Sequence, residues 1–114
     1  MLKIGAIVWG VRDLHVSVTF WREALNYKLR RAPDVDFAIL VPKDGEGVQL
    51  SLNAGVTSDK PKRHHMDLFA HDQAGEVKRL LKLGATRVNW EYEPGADCVV
   101  LADPDGNTFC VVQV

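Results

Sequence analysis

The sequence has little cysteine, little net charge and no long apolar segment, and each shortage excludes a class of protein. The 2 cysteines, Cys98 and Cys110, form neither a CxxC motif nor a disulfide framework, so we expect buried free thiols in a reducing cytoplasm. The net charge is −1 with scattered basic residues, which gives no basis for nucleic-acid binding. No apolar run reaches membrane-spanning length, and the N-terminal run is too short for a signal peptide. The sequence therefore predicts a cytoplasmic protein without a membrane partner.

Familiar catalytic motifs are also missing. The chain has no G-x-S-x-G segment, no phosphate-cradling glycine loop and no HExxH pair, so the sequence predicts neither a nucleophilic serine, nor a nucleotide site, nor a zinc protease. Its 114 residues are 46% hydrophobic, which is enough for one domain with a modest core.

The pattern that is present is an internal repeat of one strand, one helix and three strands. The first copy reads as MLKIGAIVW, the helix LHVSVTFWREAL, then YKLRRA, DFAILV and GVQLSL; the second reads as HHMDLFA, the helix QAGEVKRLLKL, then TRVNW, CVVLA and TFCVVQV. Asp13 and Asp72 are suited to cap the helix N-termini, and Asn26 and Gly84 the C-termini. The repeat predicts an α+β fold of two βαβββ modules, at about 1–55 and 64–114, with a polar linker at about 54–63.

Several local features follow from the same patterns. Leu14, Val18, Trp21 and Leu25 recur at helical spacing and should form the buried stripe of the first helix. Trp9 should pack against that helix by strand alternation. In the segment DPDGN, the two aspartates are explained by a β-turn rather than by a metal site, since proline and glycine there suit the turn geometry.

Four segments together carry a resemblance to a known family: VWGVRDLHVSVTFWREALNY, HHMDLFAHD, LGATRV and LADPDGNTFCVV. The chain resembles the vicinal oxygen chelate (VOC) superfamily, the glyoxalase, bleomycin-resistance and dioxygenase group, and especially its small glyoxalase-like members. The resemblance covers essentially all of residues 1–114. It implies a single domain whose two βαβββ modules curl around a shared cleft, and a homodimer.

The resemblance also implies four metal-ligand positions, one on the first and one on the last strand of each module, usually His or Gln and then Glu. These positions hold Ala6, Gln49, His65 and Cys110 here. Ala6 has no donor atom, Gln49 offers only a neutral oxygen, and Cys110 can ligate only as a thiolate. We therefore expect no family metal, although a zinc site from His65 and Cys110 stays chemically open. A divalent zinc, nickel, manganese or iron ion remains the alternative.

His65 and Asp67 are the candidate catalytic residues. By strand alternation they face the cleft together with Phe69, while His64, Met66 and Leu68 belong to the other face. A carboxylate at this spacing could hold the imidazole as a general base. The alternatives for His65 are a hydrogen-bonded structural histidine and a metal ligand.

The remaining cleft candidates would bind a ligand through apolar and neutral groups. They are Ile4, Val8, Gln49, Phe69, Trp90, Cys110 and Val112. Trp90 lies with Tyr92 on a polar loop, where an aromatic ring could stack on a flat ligand. The alternative for Trp90 is an exposed or dimer-packing side chain.

Three functions remain open at this point. The preferred hypothesis is a metal-free protein that binds an apolar or planar small molecule, as drug-binding resistance proteins of the superfamily do. The second is an enzyme, either a metal-dependent lyase, isomerase or dioxygenase, or a metal-free proton-transfer catalyst that uses His65 and Asp67. The third is an interaction domain whose cleft is vestigial.

Overall fold

The computed structural model describes residues 4, 6–55 and 65–114. The chain forms two compact units, Met1–Lys60 and Pro61–Val114, which we call module 1 and module 2. The division falls inside the linker predicted at about 54–63. His64 and most of that linker lie outside the described residues.

Module 1 contains one helix and a four-stranded mixed sheet. Its elements are β1 (Ala6–Gly10), α1 (Leu14–Leu25), β2 (Tyr27–Leu29), β3 (Phe37–Pro42) and β4 (Gln49–Asn53). The strands lie in the order β1-β4-β3-β2. The outer pair β1 and β4 is parallel, with Ala6 opposite Gln49, and the other two pairs are antiparallel.

Module 2 repeats this topology with different residues. Its elements are β5 (Met66–Ala70), α2 (Gln73–Leu83), β6 (Thr86–Arg87), β7 (Cys98–Ala102) and β8 (Thr108–Gln113). The strand order is β5-β8-β7-β6, with β5 and β8 parallel and Asp67 opposite Cys110. The predicted α+β fold of two βαβββ modules is confirmed.

The helix termini lie where the capping residues place them. The side chain of Asp13 accepts a hydrogen bond from the backbone of Val16, and Asn26 ends α1 in the left-handed conformation at φ 56°. Asp72 accepts from the backbone of Gly75, and Gly84 ends α2 at φ 117°. All four predicted caps are confirmed, because a cap depends on its own residue type and a few backbone groups nearby.

The buried stripe of α1 differs in part from the expected one. Leu14 and Leu25, the first and last residues of α1, are only half-buried. The buried residues of α1 are Ser17, Val18, Phe20, Trp21 and Ala24. Trp9 packs edge-on against Trp21, with ring centroids 6.1 Å apart, as the strand alternation predicted.

Two outer strands are shorter than their sequence patterns predicted. The segment YKLRRA yields a strand of three residues at Tyr27–Leu29, and TRVNW yields two at Thr86–Arg87. Both are edge strands, which have a ladder partner on one side only, so little holds their ends in extended conformation. The shortening of β6 leaves a long loop, 88–97, before β7.

In the part of the chain that the structure describes, neither helix has the length and hydrophobicity needed to cross a membrane.

Candidate ligand site in module 2

A cavity of about 350 Å³ lies on one face of the module 2 sheet. Its lining combines strand residues with residues of the 88–97 loop; they are His65, Asp67, Phe69, Trp90, Asp97, Cys98, Val100, Cys110 and Val112. The volume falls within the range of small-molecule sites in proteins.

The strand residues of this lining form two rows across β5, β8 and β7. In one row Asp67, Cys110 and Val100 are successive ladder partners; the second row consists of Phe69, Val112 and Cys98. Side chains two residues apart on a strand share one face of the sheet, which explains why all six line the cavity. The intervening residues of β8, Phe109 and Val111, are buried on the opposite face.

The first row ends in a cluster of three polar side chains. His65 Nε2 lies 3.3 Å from Asp67 Oδ1. Together with Cys110, these two residues place one ligand atom each within 4.8 Å of the others. His65 and Asp67 are exposed, whereas Cys110 is buried, so the cluster extends from a buried position to the surface.

The environment of Cys110 keeps its thiol protonated at neutral pH. Burial, followed by the charge of Asp67 and the neighbouring Cys98, raises the pKa of Cys110 to about 11. Hydrogen bonds with Asp67 and Cys98 act in the same direction. A cysteine nucleophile needs a lowered thiol pKa, so the arrangement of Cys110 beside histidine and aspartate does not work as a Cys-His-Asp triad.

The 88–97 loop supplies the aromatic side of the cavity. Trp90 is 56% exposed, and Phe69 on β5 is 73% exposed. The hydroxyl of Tyr92 accepts a hydrogen bond of 2.8 Å from the backbone of Val100, which holds the middle of the loop against β7. Large aromatic surfaces are costly to leave in water, and here both line a cavity that also contains two carboxylates.

The other end of the loop is fixed by α2. The side-chain nitrogen of Gln73 donates 2.8 Å hydrogen bonds to the carbonyls of Asp97 and Val111. The backbone nitrogen of Gln73 in turn donates to the side chain of Gln113 at 3.0 Å. Asp97 is thereby positioned at the cavity.

Acidic side chains outnumber basic ones among the residues that line the cavity. Asp67 and Asp97 are carboxylates, and no lysine or arginine is among the described residues that line it. His65 is the one ionisable base among those lining residues. The cavity therefore favours a cation or a hydrogen-bond donor over an anion.

The module 1 positions of the predicted site differ in character. Ile4 and Val8 are exposed at 76% and 58%, and Ala6 is half-buried opposite Gln49. The carbonyl oxygen of Gln49 accepts a 3.0 Å hydrogen bond from Arg30, while its nitrogen donates to Ser51.

These contacts show whether the module 1 residues could bind the divalent metal that the resemblance implies. A methyl group stands at position 6, and the one donor oxygen of Gln49 already binds the guanidinium of Arg30, whose charge would repel a cation. The module 1 half of the family ligand set therefore does not fit a metal ion. Module 2 by itself brings together three donor groups.

Most of the site residues predicted in module 2 lie around one cavity. Of the predicted residues, the structure brings His65, Asp67, Phe69, Trp90, Cys110 and Val112 around one cavity. In the sequence repeat, the family ligand position of His65 corresponds to that of Ala6, and the position of Cys110 corresponds to that of Gln49. In the ladders, Ala6 lies opposite Gln49 in module 1, and Asp67 lies opposite Cys110 in module 2. His65 lies on the same face as Asp67 because side-chain direction repeats every two residues.

Three lining residues were missed by sequence reasoning: Asp97, Cys98 and Val100. Cys98 and Val100 share the alternation of the CVVLA strand, so the antiparallel pairing with TFCVVQV was a usable signal. Asp97 carried no such signal, because its position depends on the contact between the loop and Gln73.

Known proteins resemble this chain both in sequence and in fold. A family model described as a glyoxalase-like domain matches residues 6–112. The uncharacterized protein YwbC of Bacillus subtilis (strain 168) is 32% identical over 107 residues, which covers 84% of this chain and 85% of that protein.

Solved structures share the fold at lower identity. A glyoxalase/bleomycin resistance protein/dioxygenase family enzyme from Burkholderia phytofirmans PsJN superposes with a TM-score of 0.77 at 17% identity, and covers 99% of both chains. TnmS3, an antibiotic binding protein from Streptomyces sp. CB03234, superposes with a TM-score of 0.72 at 21% identity over 99% of this chain and 96% of that one. At these identities the similarity shows the fold alone.

Proposed function

The chain belongs to the glyoxalase-like family of the VOC superfamily, and from this premise we propose that it is a small-molecule-binding protein that holds a flat, largely apolar ligand in the module 2 cavity. The observation that carries the proposal is that two exposed aromatic side chains, Phe69 and Trp90, line the same cavity as the carboxylates Asp67 and Asp97. The antibiotic-binding role of TnmS3 is consistent with this use of the fold.

The shape of the site supports a planar ligand. Phe69 and Val112 are ladder partners on β5 and β8, and with Trp90 they provide apolar surface on which a ring can stack. Aromatic stacking adds about 0.5–1.5 kcal/mol to the gain from burying the surface. A flat ligand also loses little conformational entropy on binding.

The charge of the site supports a ligand with a donor or cationic group. Asp67 and Asp97 accept hydrogen bonds, and the imidazole of His65 can accept or donate. A ligand that combines a ring system with an amine or amidine matches both the aromatic side chains and the carboxylates of the cavity. An anionic ring system matches only the aromatic side chains.

Binding of proflavine, a planar cationic dye, to the purified chain tests this proposal. We expect saturable binding in equilibrium dialysis, and weaker binding of the planar anion 2-naphthoate. Trp90→Ala and Phe69→Ala should each weaken proflavine binding about fivefold to tenfold. Val35→Ala, at a position in module 1 that is 97% exposed, is the matched control and should bind as the unaltered chain does.

The proposal fails if proflavine binds the Trp90→Ala and Phe69→Ala variants as tightly as the control. It also fails if 2-naphthoate binds equally well, because that result removes the role of the carboxylates. Repeating the dialysis at higher salt distinguishes binding in the cavity from nonspecific electrostatic attraction. Exposed charges more than about 10 Å apart are screened at 0.1 M salt.

A second candidate function is proton transfer without a metal, favoured by the 3.3 Å contact between His65 and Asp67. A carboxylate at that distance stabilises the imidazolium that forms when histidine removes a proton. The measurement is exchange of carbon-bound hydrogen of hydroxyacetone in deuterium oxide, followed by NMR. Exchange above the buffer rate that disappears in His65→Gln supports this function; a rate equal to that of buffer eliminates it for this substrate class.

A further inference from the structure

We propose that Cys98 and Cys110 form a thiol–disulfide exchange site, at which a small cationic disulfide oxidises the two thiols to a reversible disulfide between β7 and β8. The proposal goes beyond ligand binding, since it needs neither Phe69 nor Trp90. Both cysteines are free in the structure, and both line the cavity of module 2. Cys98 is half-buried and Cys110 is buried, so Cys98 is the more accessible thiol.

The strand pairing brings the two sulfur atoms together. Cys98 lies opposite Val112, and Cys110 lies opposite Val100, so the two cysteines are diagonal neighbours on one face of the sheet. The backbone N–H and carbonyl of Val100 bond to the 88–97 loop rather than to β8. These are therefore non-hydrogen-bonded pairs of the ladder, whose side chains lie closer together. The thiols of Cys98 and Cys110 accordingly hydrogen-bond with each other.

The bridge forms under strain, which makes it reversible. The Cα atoms of diagonal neighbours in a sheet lie about 7–8 Å apart, whereas those of ordinary disulfides lie about 4.4–6.8 Å apart. Bond formation therefore draws the two strands together, and a strained disulfide is easily reduced. In the described part of the sheet, β6 pairs only with Leu101 and Ala102 of β7. The end of β7 that carries Cys98 thus has a ladder partner on one side alone and can shift.

The exchange takes place in two steps. The sulfur of Cys98 attacks one sulfur of the reagent; a bond forms between them, the S–S bond of the reagent breaks, and one half leaves as a thiol with the proton of Cys98. Cys110 then attacks the sulfur of Cys98, and the second half leaves as a thiol with the proton of Cys110. Two protein thiols are oxidised and one reagent disulfide is reduced. Contact between the thiols favours the second step, whereas the raised pKa of Cys110 slows it at neutral pH.

The charges of the cavity select a cationic reagent. Asp67 and Asp97 line the cavity together with the two cysteines, and no lysine or arginine is among the described lining residues. Carboxylates raise the local concentration of a cation and lower that of an anion. Cystamine, a disulfide with an ammonium group at each end, should therefore be favoured by the folded chain over the dianion dithiodiglycolate.

Mass spectrometry of the reduced chain during treatment with cystamine tests the proposal. We expect a species that carries one cysteamine, followed by a monomer that is lighter than the reduced chain by two hydrogen atoms and has no free thiol. Peptide mapping should show Cys98 joined to Cys110, and dithiothreitol should restore both thiols. The chain unfolded in urea gives the intrinsic ratio of the rates with cystamine and dithiodiglycolate. The folded chain should exceed that ratio about tenfold, and added salt should reduce the excess.

Variants separate the roles of the two cysteines and of the charge. Cys110→Ser should stop at the mixed disulfide with cysteamine, because it lacks the second thiol. Cys98→Ser should react about tenfold more slowly, because its remaining thiol is buried. Asp97→Asn should lower the preference for cystamine about threefold, whereas Asp44→Asn, at an exposed position in module 1, should leave it unchanged. Circular dichroism checks that each variant folds.

Three results overturn the proposal: a folded chain whose thiols stay reduced while the unfolded chain reacts, a final product that carries two cysteamines, or a disulfide between two chains. An equal ratio of rates in the folded and unfolded chain overturns the selection of cationic disulfides. The test contains no dye, so its failure leaves the proflavine result untouched, and failure of dye binding leaves the exchange result untouched.

Discussion

The phenol oxygen of Tyr92 takes the place of a ladder partner for Val100. The backbone N–H of Val100 donates to it at 2.8 Å, just beyond the point where β6 ends at Arg87. The neighbouring carbonyl of Val100 accepts from the backbone of Val88. One side chain thus completes the edge of β7 and holds the loop that carries Trp90.

Tyr92→Phe removes this bond without changing the ring. We expect a loss of about 1–2 kcal/mol in unfolding free energy, with a fall in melting temperature of about 4–8 °C per kcal/mol. Hydrogen exchange should also speed up across residues 88–100. The control is Tyr27→Phe, which removes the 2.7 Å bond to Val48 in module 1 and should leave exchange at 88–100 unchanged. Unaltered exchange in Tyr92→Phe would show that the loop is held by other contacts.

Gln73→Ala tests the second anchor of the loop. The change leaves the carbonyls of Asp97 and Val111 without the 2.8 Å bonds they accept from Gln73, which should cost about 2 kcal/mol in urea unfolding. Lys78→Ala, at an exposed position on the same helix, should stay within about 0.5 kcal/mol of the unaltered chain. Equal effects of the two changes would refute the anchoring role.

Alkaline pH should destabilise the fold through Cys110. The folded pKa of Cys110 is raised from 9.0 to about 11, so the folded chain holds the thiol proton more tightly than the unfolded chain does. The stabilisation is complete below pH 9 and is lost as the pH rises toward 11. A tenfold difference in proton affinity between the folded and unfolded chains corresponds to about 1.4 kcal/mol.

The measurement is urea unfolding between pH 8 and 11 in chelator, with Cys110→Ser for comparison. The difference in unfolding free energy between the two proteins should shrink across that range. Alkylation by iodoacetamide should stay slow at neutral pH for the same reason. A difference that is constant with pH would mean that the thiol does not titrate in this window.

The parts of the fold that the sequence predicted are those decided locally. The helix caps Asp13, Asn26, Asp72 and Gly84 depend on their own residue types and adjacent backbone. The repeat supplied the order of elements. The short strand β6 was not predictable, because a hydroxyl eight residues from Val100 along the chain competes with the strand for the same N–H.

The features of the site likewise divide into those that follow from one strand alone and those that depend on distant parts of the chain. That His65, Asp67 and Phe69 share a face follows from alternation within one strand. That Asp67 lies opposite Cys110 depends on the register of two parallel strands joined through a helix and two further strands, and no turn fixes that register. The sequence therefore indicated the pairs His65–Asp67 and His65–Cys110 but not the contact between Asp67 and Cys110.

The turn between β7 and β8 allows a test of the prediction that the aspartates of DPDGN serve a β-turn rather than a metal site. Asp103 is buried, at 2% exposure, and its carboxylate accepts hydrogen bonds from the backbone nitrogens of Asp105 at 3.0 Å and Asn107 at 2.8 Å. A third bond comes from the side chain of Asn107 at 3.1 Å. Gly106 has φ 86°, as the β-turn requires.

Asp103→Ala should therefore destabilise the chain by about 3 kcal/mol, because it leaves buried donors without partners. The matched change is Asp44→Ala in the turn of module 1, where an exposed carboxylate accepts one 3.2 Å bond from Glu46; it should cost about 1 kcal/mol or less. Urea unfolding of both variants gives the comparison. Similar losses at the two turns would mean that burial does not set the strength of this motif.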